Sequence, residues 1–153
     1  MRSTSSSTSA WHDRRVIDQA SEFGARAARR LRDEIVIWMT TVNPDGSPLP
    51  RPIWFIWDGG ESAVMYSRPS PRVRNIESNP RVTLHFDGDR EGDDIVVFSG
   101  TAAVEPEQPP AHEAPDYLEK YRARIDRLGM TPEQFAEAYS VPVRIRFNRL
   151  DGY

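Results

Sequence analysis

Arg68, Arg72 and Arg74 fall within seven residues of one another, beside Ser67, Ser70 and Asn75, in the segment SRPSPRVRN. A guanidinium is a planar fork that grips phosphate oxygens in pairs, and hydroxyls with free amides at a helix start complete an anion pocket. A phosphate is therefore one ligand this segment suits. A solvated surface cluster has the same composition, because arginine is abundant throughout the chain. The second segment is PRPIWFIW, Pro50 to Trp57. Its two prolines cannot donate to a ladder, so its first part is expected at a sheet edge or bulge. Backbone left unpaired there, with Arg51, Ile53, Trp54 and Phe55, could cover a flat aromatic ring. Alternate residues of the strand must instead face the core.

What is missing narrows the chemistry further. The chain has no cysteine, which removes thiol nucleophiles, disulfides and thiolate metal sites. His12, His85 and His112 lie far apart without metal-ligand spacing, so no metal site is expected. Lys120 is the only lysine; in the charged run YLEKYRARIDR it reads as part of an exposed helix face, and Schiff-base chemistry is not expected. The acidic run Asp87, Asp89, Glu91, Asp93 and Asp94 lacks the closing Glu of a calcium loop and reads as a solvated hairpin tip. No Ser–His–Asp or paired-carboxylate arrangement stands out, and no catalytic residue is assigned. An enzyme built this way would draw its reaction from a bound cofactor.

These segments need elements to hold them. Ile17, Ala20, Phe23, Ala27 and Leu31 recur at helical steps and predict a helix from Val16 to Arg32. Strands are predicted at Glu34–Val42, Pro50–Trp57, Ser62–Ser67, Arg81–Asp87, Ile95–Glu105 and Pro142–Leu150, with a strong turn at NPDGSP and a bulge at Gly100. A short helix belongs between Arg68 and Pro80, and two more at Asp116–Leu128 and Pro132–Tyr139. The last has a capped start at Thr131 with Gln134 three residues on. About six strands with short turns and intervening helices make an α+β protein, mainly β, built as a small antiparallel barrel.

At 153 residues the chain fits one domain, spanning 13–153 behind a Ser/Thr-rich leader at 1–12 that reads as disordered. A net charge of -3 opposes general nucleic-acid binding. No stretch reaches the ~20 apolar residues of a spanning helix, and a cytoplasmic protein without membrane attachment is expected.

The ordered set WMTTVNPDGSPLPRPIWFIWDG, VMYSRPSPRVRNIESNPRVTLHFDGD and FSGTAAVE resembles the pyridoxamine 5′-phosphate oxidase-like superfamily. Within it, the set is most similar to the actinobacterial flavin/deazaflavin oxidoreductases of the F420-dependent class, over roughly Leu31 to Leu150. The stretch LEKYRARIDRLGMTPEQFAEAYSVPVRIR resembles one subgroup of that class. The resemblance implies a split β-barrel like that of FMN-binding proteins, a homodimer with cofactor sites at its interface, and a small-molecule substrate. It makes Pro50, Arg51, Pro52, Ile53 and Trp54 ring-side candidates. Tyr66, Ser67, Arg68, Arg72 and Asn75 become phosphate or ribityl-side candidates. Arg72 stands where relatives usually have lysine, so a planar fork replaces a compact ammonium. The implied activity is F420-dependent hydride transfer to a small organic substrate. The alternatives are an FMN-dependent oxidase or reductase and a non-catalytic cofactor binder.

Overall fold

The computed structural model describes residues 15–153, and the leader expected at 1–12 lies outside the described residues. The chain runs α1 (Glu22–Asp33), β1 (Ile37–Val42), β2 (Pro48–Ile53), β3 (Ile56–Trp57), β4 (Ser62–Ser67), α2 (Pro71–Ser78), β5 (Arg81–His85) and β6 (Val96–Val104). A single 3-10 turn (Ala111–Glu113) then leads to α3 (Pro115–Arg127), α4 (Pro132–Ala138) and β7 (Val141–Gly152). One antiparallel sheet has the order β2-β1-β5-β6-β7-β4-β3.

That order forces the sheet to curl. β2 and β3 lie at opposite edges, yet only Trp54 and Phe55 separate them in sequence. Seven strands laid flat would hold those edges about 29 Å apart. The link from Ile53 to Ile56 reaches about 11 Å at most. The edges must therefore approach one another, and the sheet becomes a split barrel with its seam at Trp54–Phe55. The continuous strand expected over Pro50–Trp57 is thus two short strands. The break arises because the chain leaves one edge of the sheet and joins the other.

Period-two patterning fills the barrel. Ile37 and Met39 of β1, Val82 and Leu84 of β5, Phe98 of β6 and Val143, Ile145 and Phe147 of β7 are all buried together. β4 is buried on both faces. Ala63 and Met65 enter the barrel, while Val64 and Tyr66 pack into a second cluster with Tyr117, Leu118, Tyr121 and Ile125 of α3 and Phe135 of α4. The second cluster exists because α3 presents those four residues at helical spacing as one apolar stripe.

Two local features position the rest. α1 begins at Glu22 rather than near Val16. Ser21 caps it, its hydroxyl accepting from Gly24 N and donating to Asp18 O, so residues before it form a turn instead of helix. Ile17 still reaches the core from that turn. On β6 the register breaks between Ser99 and Gly100: Ser99 pairs with Arg149 and Gly100 with Phe147, which leaves Asn148 as the extra residue on β7. The bulge expected at Gly100 is there, with its extra residue on the partner strand.

The seam leaves Phe55 backbone without a strand partner, and α3 supplies one. Phe55 N donates to the Tyr121 hydroxyl at 2.8 Å, and Lys120 Nζ donates to Phe55 O at 3.1 Å. The Tyr121 hydroxyl also lies 2.7 Å from Ile35 O and 2.9 Å from Phe55 O, so its single proton serves one of these acceptors at a time. Lys120 is accordingly half-buried, with Nζ 3.8 Å from the Phe55 ring centroid, and not on an exposed face as its charged neighbours imply. The seam's need for a donor overrides the local charge pattern. Burial brings its pKa down from 10.5 to about 8, against the opposing pull of Asp33 and Glu34. A folded pKa below the unfolded one contributes stability above about pH 10.5 that is lost as pH falls through about 8. Urea denaturation at pH 7 and pH 9.5 should show the wild-type chain gaining stability relative to Lys120→Met at the higher pH. Tyr121 does not confound the comparison, since burial raises its phenol pKa. Equal pH responses in the two proteins would refute the assignment.

Candidate functional site

β2 is an edge strand, as its prolines require. Pro48, Pro50 and Pro52 share one parity, and backbone groups alternate sides along a strand. Proline has no donor for the β1 ladder, so that ladder runs through Leu49, Arg51 and Ile53. The free edge of β2 therefore presents carbonyls without N–H groups. Arg51 already uses one, with Nη1 2.8 Å from Pro50 O.

Beside the end of β2 opens a cavity of about 290 Å³. β2 and the seam contribute Pro52, Ile53 and Trp54; β4 contributes Met65 and Tyr66; α2 contributes Arg72. The far wall is Tyr117 of α3 with Leu128, Phe135 and Tyr139 from α4 and its flanks. Near-parallel rings form this wall. Trp54 stacks on Tyr121 at 4.9 Å and on Phe135 at 5.7 Å, and Phe135 stacks on Tyr139 at 4.4 Å. Arg68 lies over the outer face of Tyr139, 4.8 Å from its centroid.

The strand-to-helix junction sets the cationic rim. β4 ends at Ser67, and Pro71 starts α2 without an N–H to satisfy. The Ser67 hydroxyl donates to Arg68 O at 2.7 Å and accepts from Arg72 Nε at 3.3 Å. That bond aims the Arg72 fork while leaving its two Nη groups without a hydrogen bond among the described residues. Ser70 has its hydroxyl 3.5 Å from that of Ser67. Among the described residues none of Arg51, Arg68 and Arg72 has a carboxylate partner, unlike Arg26, Arg30, Arg144 and Arg149. Burial first, and the neighbouring Arg51 charge second, lower the Arg72 pKa. A bound anion would reverse the second effect.

The structure thus brings together Pro52, Ile53, Trp54, Tyr66 and Arg72 at one cavity, with Ser67 directly behind Arg72. Arg51 and Arg68 are exposed, Arg51 close enough to repel Arg72 and Arg68 stacked on Tyr139. Pro50 lies on the free edge outside the cavity wall. Asn75 is buried, with Nδ2 donating to Thr41 Oγ1 at 3.1 Å and Asn43 Oδ1 at 2.9 Å, so it ties α2 to β1. The Tyr66 hydroxyl donates to Pro109 O at 2.6 Å. The residues not foreseen are Met65, Tyr117, Leu128, Phe135 and Tyr139. The apolar stripe of α3 signals burial, but no local pattern tells which surface it covers. Among the described residues no cluster of His, Asp or Glu could hold a metal ion. None of their helices is long and apolar enough to cross a membrane.

Solved structures share this fold. A protein named F420 reductase superposes with a TM-score of 0.59 at 24% identity, over 80% of this chain and 94% of that one. The conserved hypothetical protein Rv2991 from Mycobacterium tuberculosis gives 0.65 at 26% identity, over 90% and 86%. An FAD-binding protein from Mesorhizobium loti gives 0.59 at 17% identity, over 82% and 88%. No curated protein matches the sequence. Residues 23–148, which hold the whole barrel except the end of β7 together with every wall of the cavity, match the pyridoxamine 5′-phosphate oxidase family, and the chain belongs to that family.

Proposed function

We propose that this protein is a flavin-type oxidoreductase that takes F420 in preference to FMN and passes a hydride between the deazaflavin and a small organic substrate. The observation that carries the reading is the pairing of a donor-free strand edge and aromatic cavity with three arginines that lack carboxylate partners among the described residues. F420 carries a phosphate and an acidic glutamyl tail, which suit three cations; FMN carries one phosphate and needs fewer. Arg72, oriented by Ser67, would hold the phosphate, with Arg68 and Arg51 along the tail. Pro50, Pro52, Ile53 and Trp54 would lie along the ring, and Tyr66 and Asn75 would brace the β4 and α2 side. The bound group would supply the hydride chemistry, while the protein positions ring and substrate and excludes water.

The protein acts as a cytoplasmic homodimer in this reading. The outer face of β1, β5 and β6, half-exposed at Trp38, Thr40, His85, Val97 and Thr101 and exposed at Arg81, Thr83 and Ala103, with Trp38 stacked on His85 at 6.5 Å, supports a second copy there. Titration with F420 and with FMN, read by fluorescence, tests the cofactor. Micromolar or tighter F420 binding is expected; failure of both cofactors would end the reading, and FMN binding alone would exchange the cofactor. Turnover of the reduced cofactor against a substrate panel separates an enzyme from a binder. Light scattering in solution should give twice the chain mass.

A further inference from the structure

Trp54 and Phe55 are neighbours that face opposite ways. Trp54 is a wall of the cavity, stacked on Tyr121 at 4.9 Å, while Phe55 is 1% exposed and packs in the barrel core. The backbone between them belongs to the seam, where neither β2 nor β3 reaches, so its conformation rests on donors from α3. Two carbonyls meet those donors. Phe55 O has Lys120 Nζ at 3.1 Å and the Tyr121 hydroxyl at 2.9 Å, and Ile35 O has the same hydroxyl at 2.7 Å. Lys120 is also the only lysine of the chain, where every other strong base is an arginine. An arginine keeps its charge at any pH a protein meets, whereas a half-buried lysine can lose it.

We propose that Lys120 is a positioning residue for the cavity: its ammonium holds Phe55 O and thereby fixes the turn that presents Trp54 to a bound ring. With Phe55 O taken by the cation, the single Tyr121 proton goes to the closer Ile35 O. A neutral amine donates weakly, so the Tyr121 proton turns to Phe55 O, and the ring under Trp54 moves with it. The groups acting on Lys120 are Asp33 at the end of α1, Glu34 just after it, and the rings of Phe55 at 3.8 Å and Tyr121 at 5.4 Å. The two carboxylates favour the cation, but burial outweighs them and brings the pKa to about 8. The Tyr121 phenol faces Arg124 and keeps its proton, because burial raises its pKa. Stability and binding therefore answer pH in opposite directions. The folded chain gains stability as the buried charge is lost above about pH 8, and the cavity loses its fixed wall. That the bound ring belongs to a cofactor rests on the oxidoreductase reading; the order of the wall does not.

Near-ultraviolet circular dichroism of the full chain from pH 7 to pH 9 reads the stacked wall without any ligand. The wild type should show a transition with a midpoint near pH 8. That transition should be absent from Lys120→Met, which has nothing to titrate there, and from Trp54→Phe, which lacks the reporting indole. Titration with F420 and with FMN at both ends of the range reads the site. The cofactor that binds should do so about fivefold more weakly at pH 9 than at pH 7, at the low end of coupling between sites. Lys120→Met should bind it weakly and equally at both. A residue that only holds the fold together would instead move urea resistance and cofactor affinity in the same direction. No dichroism transition in the wild type, a transition that persists in either variant, or a cofactor affinity that does not fall with pH would each overturn the proposal. If neither cofactor binds, the oxidoreductase reading fails, and the dichroism comparison alone still decides the role of Lys120.

Discussion

Arg72→Ala should raise the dissociation constant of the cofactor by roughly 10- to 150-fold, the equivalent of about 1.5–3 kcal/mol for a lost charge-assisted hydrogen bond. The effect is large because Arg72 is partly desolvated before any ligand arrives. Its Nε is held by Ser67, its Nη groups have no partner among the described residues, and Arg51 repels it. The protein has thus already placed a fork in a fixed orientation, and a phosphate gains two donors without ordering a flexible side chain. Arg72→Lys separates charge from geometry. It keeps the cation and loses the bond to Ser67, so its affinity should fall between those of wild type and Arg72→Ala. The fold should survive both changes, since Arg72 makes no ion pair among the described residues. Equal F420 affinity in wild type and Arg72→Ala would place the phosphate elsewhere.

Gly100→Ala should destabilise the barrel by about 3 kcal/mol, at the upper end of the cost of forcing atoms into a packed site. Gly100 sits opposite the bulge at Asn148, where the β7 backbone crowds against β6. A Cβ at this position would overlap the Arg146 carbonyl oxygen and crowd the Arg146 carbonyl carbon at 3.0 Å. These are backbone atoms, so no side chain can swing aside to relieve the clash. The β6–β7 pairing joins more residues than any other in the sheet, from Val96↔Gly152 to Val104↔Val143 across the bulge, and strain there reaches the middle of the barrel. Urea denaturation should show a lower midpoint with an unchanged slope. A midpoint equal to that of the wild type would mean that β7 can shift its bulge at little cost.

Features set by neighbouring residues are legible in the sequence. Ser62–Ser67 is a short apolar run between a turn and a proline-rich junction, and it is β4 with those bounds. Thr131 and Gln134 form the reciprocal cap their spacing implies. The prolines of β2 require an edge, and Gly100 marks the register break, because both rules concern a single backbone position. What was hidden depends on distant partners. Ser21 could cap α1 only because Asp18 turns the chain just before it. Phe55 is a seam residue because the sheet order, set by all seven strands, parts Ile53 from Ile56. Lys120 looks solvated among its charged neighbours, and only that seam gives its ammonium a carbonyl to meet. The candidate site divides in the same way. Arg68 and Arg72 of the arginine rim lie within five consecutive residues, whereas Arg51 comes from β2 and the wall of Tyr117, Phe135 and Tyr139 is recruited from segments far along the chain.

The row of prolines on β2 has a consequence for how these molecules behave in a crowded solution. A growing fibril or an exchanged strand adds by matching donors on one chain to acceptors on another. The outer side of β2 offers carbonyls alone, so two such margins brought together set oxygen against oxygen. The missing donors that hold this strand at the edge of its own sheet also deny it to a neighbouring polypeptide, and an open margin does not become a point of aggregation.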